Sequence, residues 1–253
     1  MDQEEFEILK AFKNKDLFLE KGCLKNGEKS GGLWIGGGDY GSVSVICLND
    51  EIQSENCEHV IKAIKIDNEN ELKDAKYEAE IAELVSDIKI GSKFVRSFGC
   101  KTTKGRFYFI ITERYDTDLK KYIKKCNKDC KNGVDISNRI ISLKKALVTL
   151  MLLCIKKHFY HADLCSYSPG ADDNGINEGN IILKVDSEGN VFDAKLTDFD
   201  RCEINISKNE EFEKKIVDQW CCLWRILKTD EDYKSFKFYI LETDEIKKIC
   251  QNN

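Results

Sequence analysis

Long apolar runs are missing from this 253-residue chain. The longest, residues 146–155, is half the roughly 20 residues that a membrane-spanning helix needs, so it reads as a buried helix. Positive charge is not in surplus either. The formal net charge is −5, which leaves no overall basic field for nucleic acid. The basic pairs Lys120-Lys121 and Lys124-Lys125 alternate with acids and read as solvated helix faces. The first residues, Met1-Asp2-Gln3-Glu4-Glu5, are acidic and lack the apolar core of a signal peptide. A cytoplasmic setting, in the producing cell or in a host, is therefore expected, with no membrane partner. Proline occurs once, among abundant Lys, Asn, Ile and Glu. This bias resembles AT-rich coding and says nothing about chemistry. No internal repeat or low-complexity block is found.

Twelve cysteines are present. They are scattered and follow no signal peptide, so reduced, buried thiols are expected. Cys126 and Cys130, with His158 and His161 downstream, fit no common zinc spacing.

Hydrophobic periodicity divides the chain. Phe6, Ile8, Leu9 and Phe12 suggest a short helix within an N-terminal extension, residues 1–30. Strands are expected at 33–35, 43–46 and 60–66, a helix at 70–86, and strands at 94–98 and 106–112. After Asp116 the pattern is mostly helical, at 118–126 and 137–158. A hairpin, 181–185 and 191–197, and a final helical part follow. Strands with one helix, then mostly helices, predict an α+β protein with a β-rich region at 31–115 and a helical region at 116–253.

Several short motifs lie on this frame. Gly36, Gly38, Gly41 and Val43 fit G-x-G-x-x-G-x-V between two strands, where bare backbone can close over phosphates. Ala63-Ile64-Lys65 lies on the next strand. Alternation puts Ala63 and Lys65 on one face and leaves Lys62 to solvent. Glu78, Glu80 and Glu83 on the following helix compete to partner the lysine. Four positions on, Glu80 is followed by Leu84 and Glu78 by Ala82. Residues 107–115 form a buried strand ending in Thr112-Glu113-Arg114-Tyr115. Downstream come Tyr160-His161-Ala162-Asp163-Leu164, Asn180-Ile181-Ile182-Leu183, Asp198-Phe199-Asp200 and Asp218-Gln219-Trp220.

In this order, from about residue 33 to 227, the chain resembles the protein-kinase-like superfamily. The resemblance implies a two-lobed fold, with a β-rich N-lobe carrying one main helix and a shortened, mostly helical C-lobe. It implies an ATP- and magnesium-dependent phosphotransferase acting on Ser/Thr of a protein substrate. A host regulatory protein is a further partner it allows. Lys65 would meet the α/β-phosphates and pair with Glu80, or else Glu78, since the family's helix acid is followed four residues later by a buried apolar residue, as Glu80 is by Leu84. Ala63 and Val43 would roof the adenine, Ile182 would lie beneath it, and backbone near Glu113 and Tyr115 would meet its edge. Asp163 would accept or orient the substrate hydroxyl proton. Asn180 and Asp198 would hold magnesium. Phe199 would pack against the helix, and Asp218 would tie down the loop around Asp163.

Departures from the family are equally specific. Asp163 and Asn180 are 17 residues apart against five, and 165–179 reads as a protruding loop near the substrate. Lengthening a closed loop this much costs only about 1 kcal/mol if its ends stay together. Cys165 stands where the catalytic-loop Lys is usual. Ala162 replaces the Arg that reads an activation-loop phosphate, and no A-P-E lies between Asp198 and Asp218. Asp200, in the Gly place, reads as a turn cap. A nucleotide-binding scaffold (a pseudokinase) and a small-molecule kinase are the alternatives.

Overall fold

The computed structural model describes residues 34–38, 41–46, 58–102, 105–166, 175–204 and 210–229. The expected N-terminal helix and the end of the chain beyond 229 lie outside the described residues. Among the described residues the protein is α+β with antiparallel sheets. None of the described helices is long and apolar enough to cross a membrane. The chain divides into two compact units, Met1–Arg114 and Tyr115–Asn253.

Among the described residues, the first unit is a five-stranded sheet with one helix. Its strands are β1 (Trp34–Gly38), β2 (Gly41–Ile46), β3 (His59–Ile66), β4 (Phe94–Thr102) and β5 (Gly105–Glu113), in the order β1-β2-β3-β5-β4. Strand β3 is central and covered on both sides. Ile61 and Ala63 are buried on one face, Ile64 and Ile66 on the other. That is why its sequence is an almost unbroken apolar run. Phe98, Phe107 and Phe109 stack across β4 and β5, with centroids 5.2 and 6.2 Å apart.

Helix α1 (Glu69–Asp87) is started by Asn68. The Asn68 side chain accepts from the Asn70 and Glu71 N–H groups at 2.9 and 3.0 Å. The Glu71 carboxylate reaches back to the Asp67 N–H at 2.6 Å, a variant of the capping box. Its buried stripe is Ala75, Glu78, Ala79, Ala82 and Val85, at helical spacing, and one member is charged. The helix stops where Lys89 takes φ 66 and Ile90 N–H turns back to the Val85 carbonyl.

The second unit holds α2 (Leu119–Lys131), α3 (Ser137–Lys156), α4 (Glu210–Thr229) and short strands. Strands β6 (Thr117–Asp118), β10 (Ile181–Val185) and β11 (Val191–Leu196) form one sheet in the order β11-β10-β6. Strands β7 (Phe159–His161) and β12 (Cys202–Ile204) form a second, and β8 (Cys165–Ser166) and β9 (Gly175–Ile176) a third. Leu119, Ile123, Leu143, Leu147, Ile181, Leu183 and Trp220 fill the interior. Each such side chain contributes about 1.5–3 kcal/mol by leaving water.

The β10–β11 turn is clamped. Arg139 ion-pairs with Asp129 at 2.6 Å and donates to the Glu188 carbonyl at 2.8 Å. The Tyr122 hydroxyl donates to the Gly189 carbonyl at 2.7 Å. Gly189 has φ 86, and a Cβ there would come within 2.8 Å of Arg139 Nε. Glycine is therefore required at this position. The opposite ends of this hairpin carry Asn180 and Asp198.

The thiols only partly follow expectation. Cys126, Cys130, Cys154 and Cys202 are in no disulfide, whereas Cys221 and Cys222 are disulfide-bonded. The set Cys126, Cys130, His158 and His161 does not assemble as a metal site.

Candidate active site

After α3 the chain passes through His158, at φ 51, into β7. Pairing of His161 with Cys202 ends that strand, the Ala162 N–H still donates to the Arg201 carbonyl at 3.0 Å, and the chain then turns at Asp163. The His161 ring is buried against Phe159 and Phe199, with centroids 6.4 and 6.0 Å away. Burial pushes its pKa below the ordinary 6.5, which favours the neutral ring. The neutral ring then carries its proton on Nε2, which donates to the Thr197 carbonyl at 2.8 Å. From the other side the Gln219 amide donates to the His161 carbonyl.

Asp163 lies two residues further on. Asn180 Nδ2 donates both to the Asp163 carbonyl at 3.1 Å and to Oδ2 at 3.2 Å. Asn177 Nδ2 donates to the same Oδ2 at 2.9 Å. Asn180 is buried, and its carbonyl accepts from the Thr197 N–H at 3.1 Å. This bond extends the β10–β11 ladder by one step and brings Asn180 level with the residue before Asp198. Asp198 itself has φ 66, a conformation costing a non-glycine residue about 1 kcal/mol or more and concentrated at functional turns. Phe199 is buried next to it, its ring 6.2 Å from Phe159. Thus Asp163, Asn180 and the backbone leading into Asp198 form one bonded cluster.

Among the described residues no three His, Cys, Asp or Glu side chains form a metal cage. The donor set fits a different kind of site. The Asn180 amide nitrogen is occupied by Asp163, so its oxygen, together with the Asp198 carboxylate one residue after the Thr197–Asn180 bond, would be the pair of oxygens available to a cation. One or two such oxygens, completed by phosphate and water, are how magnesium is usually held.

In the first unit the strand lysine and helix acid differ from those expected. Lys62, not Lys65, reaches the helix. Its Nζ lies 2.6 Å from Glu78 Oε1, with the two side chains 18% and 7% exposed. Lys65, near the open end of β3, is 58% exposed and pairs with Asp67 at 2.7 Å. Glu80 is exposed, and Leu84 is exposed too. The physical reason is phase. Residues 62 and 65 point to opposite faces of a strand, and residues 78 and 80 are about 200° apart around a helix. The register adds a second correction. Val43 stands opposite Lys62, while Ala63 faces Ser42 and Phe109. Ala63 is therefore on the other face from Val43. Val60, two residues before Lys62, is the side chain that shares its face, with Thr112 opposite.

Gly36 and Gly38 lie on β1, paired with Val43 and Gly41. Asp39 and Tyr40 between the strands lie outside the described residues. A Cβ on Gly41 would come within 2.7 Å of the Ala63 carbonyl oxygen. The close approach of β2 to β3 thus accounts for this glycine without any ligand. At the end of β5 the Glu113 N–H is already bonded to the Lys93 carbonyl at 2.8 Å. Tyr115 begins the second unit, where its hydroxyl donates to Asp193 at 2.6 Å. Ile182 is half-buried between the fully buried Ile181 and Leu183, so it faces away from their core.

Two residues escaped sequence reading. Asp218 was expected to hold the loop around Asp163, but it is exposed, and Gln219 makes that bond. Again one residue of helix phase decides. The second is Asn177, at the foot of the inserted segment. There Cys165 pairs with Ile176 and Ser166 with Gly175, so the ends of the insertion are held together as its low cost requires. Residues 167–174 lie outside the described residues. No family model matches the chain, and no curated protein matches it.

Proposed function

We propose that this protein is an ATP- and magnesium-dependent phosphotransferase of two-lobed, protein-kinase-like fold, acting on Ser/Thr hydroxyls of a protein. The first unit would be the β-rich lobe and the second the shortened helical lobe. One observation carries the reading: Asp163 is bonded through its carboxylate and its carbonyl to Asn180, at the end of the hairpin that leads into Asp198. A loop acid aimed at a hydroxyl and two oxygen ligands beside it are what this chemistry needs from a protein, because it depends on positioning and charge.

The roles follow from the side chains. Asp163 orients the substrate hydroxyl and accepts its hydrogen bond. Asn180 and Asp198 would hold magnesium, which neutralises phosphoryl charge when bound with ATP. His161 fixes the carbonyl of Thr197 and so the approach to Asp198. Lys62, held by Glu78, is the point charge for the α/β-phosphates, in place of Lys65 and Glu80. Val60 takes the place given to Ala63 beside Val43. Ala162 and the missing A-P-E make activity independent of activation-loop phosphorylation. Phosphosite mapping between 202 and 217 checks this: removal of any site found there should leave the rate unchanged.

Cys165 in the place of the catalytic-loop Lys favours one other reading, a nucleotide-binding scaffold. The deciding experiment is radiolabelled ATP with magnesium, wild type beside Lys62→Met and Asp198→Asn. Label on the protein itself or on a generic protein substrate, lost in both variants, supports phosphotransfer. Nucleotide binding without transfer supports the scaffold, and no nucleotide binding sinks both.

A further inference from the structure

Asn177 belongs to none of the motifs, yet it makes the shorter of the two hydrogen bonds to the Asp163 carboxylate, 2.9 Å against 3.2 Å from Asn180. Its backbone is held on both sides. The Asn177 N–H donates to the Leu164 carbonyl at 3.1 Å, and its own carbonyl accepts from the Asn180 N–H at 3.0 Å. The β8–β9 pairing closes the inserted segment directly before it. A Cβ on Gly179 would come within 3.3 Å of Asn177 Oδ1, so there is little room beside the amide.

Among the described residues, both side-chain hydrogen bonds to the Asp163 carboxylate fall on Oδ2. The terminal torsion of an aspartate is broad, and one long bond would leave its two oxygens free to exchange. Two amides on one oxygen select a single orientation and leave Oδ1 as the atom that meets a substrate. We propose that Asn177 is a positioning residue for Asp163, delivered by the insertion. The inference rests on the phosphotransfer reading above.

The test uses the full chain with Asn177→Ala and the isosteric Asn177→Asp, which keeps the volume and replaces the donor by an acceptor. Both should lower kcat by roughly ten- to a hundredfold, as small misplacements of a reacting group do. KM for ATP should stay within about twofold, the pattern of a lost transition-state contact. Because Asn177 is exposed, the two carboxylates can separate and Asn177→Asp should stay folded at the assay temperature, so it decides if Asn177→Ala fails to fold. In the nucleotide-free protein, the side-chain amide resonances of Asn177 should move on Asp163→Ala. Those of Asn190, bonded to Asp186 at 3.0 Å, should not. Wild-type kcat in Asn177→Asp, or an unmoved Asn177 amide, overturns the proposal while leaving phosphotransfer intact. A wild type that transfers no phosphate sinks the phosphotransfer reading, and this inference with it.

Discussion

The unit ending at Arg114 and the unit beginning at Tyr115 present their ionisable groups in different ways. In the first, Lys62 and Glu78 project from the middle of a strand and a helix, into the packing between sheet and α1. In the second, Asp163, Asn177 and Asn180 sit at strand ends and turns and are joined by hydrogen bonds that span 14 or 17 residues, with Asp198 one residue after the Thr197–Asn180 bond. On a regular element the face is set by phase, and an error of two or three residues exchanges a buried group for an exposed one. At strand ends and turns a residue is carried to its place by the strand or turn it belongs to, and the face of a regular element does not decide its contacts. This is why the expected Lys65–Glu80 pair is replaced by Lys62–Glu78, while Asp163 and Asn180 do lie in hydrogen-bond contact.

The comparison can be broken experimentally. The largest effect is expected in the second unit, where Asp163→Asn should lower kcat by about 10²–10⁴-fold, measured as initial rates of label transfer. An effect below tenfold would detach the cluster from the chemistry. The first unit is tested by two lysines. Lys62→Met should cost about 10²-fold in rate, whereas Lys65→Met should resemble wild type, because that side chain lies in water. Equal losses would restore the reading by letters. Removing one partner of the buried Lys62–Glu78 pair should also destabilise the fold by about 3–5 kcal/mol, read from urea midpoints. Lys62→Met is therefore assayed well below its own midpoint.

A smaller effect is expected at Gln219→Ala. It leaves the buried His161 carbonyl short of a donor and should cost about 1–3 kcal/mol of stability by the same titration. Asp218→Ala, one residue away and exposed, should be nearly neutral. The smallest effect concerns pH. Burial depresses the pKa of His161 in the folded protein, whereas the unfolded ring titrates near 6.5. Below that value the unfolded chain binds the extra proton, so the contribution of His161 is complete above pH 6.5 and is lost as pH falls. His59 is shifted in the same direction. His161→Leu should therefore flatten, without abolishing, the fall in urea midpoint between about pH 7.5 and 5.

Much of the framework was legible in advance. The β3 run, the α1 pattern and the apolar α3 fall within a residue or two of the structural elements, because alternation and helical spacing are local properties. The β10–β11 hairpin was legible for the same reason. The glycine-rich hairpin was legible as a hairpin, but Gly41 shows that a glycine demanded by strand packing looks like one demanded by a phosphate. Asn177 carried no signal, since nothing local says that an asparagine twelve residues beyond Cys165 returns to Asp163.

The sequence by itself determined the α+β class and the placement of the elements. These depend on periodicity and on neighbours along the chain. Only the tertiary structure decided that Lys62 pairs with Glu78, that Gln219 holds His161, and that Asn177 shares the Asp163 carboxylate with Asn180. Each is a contact across 14 or more residues. Its partner is fixed by register and helix phase, which exist only once the elements have packed.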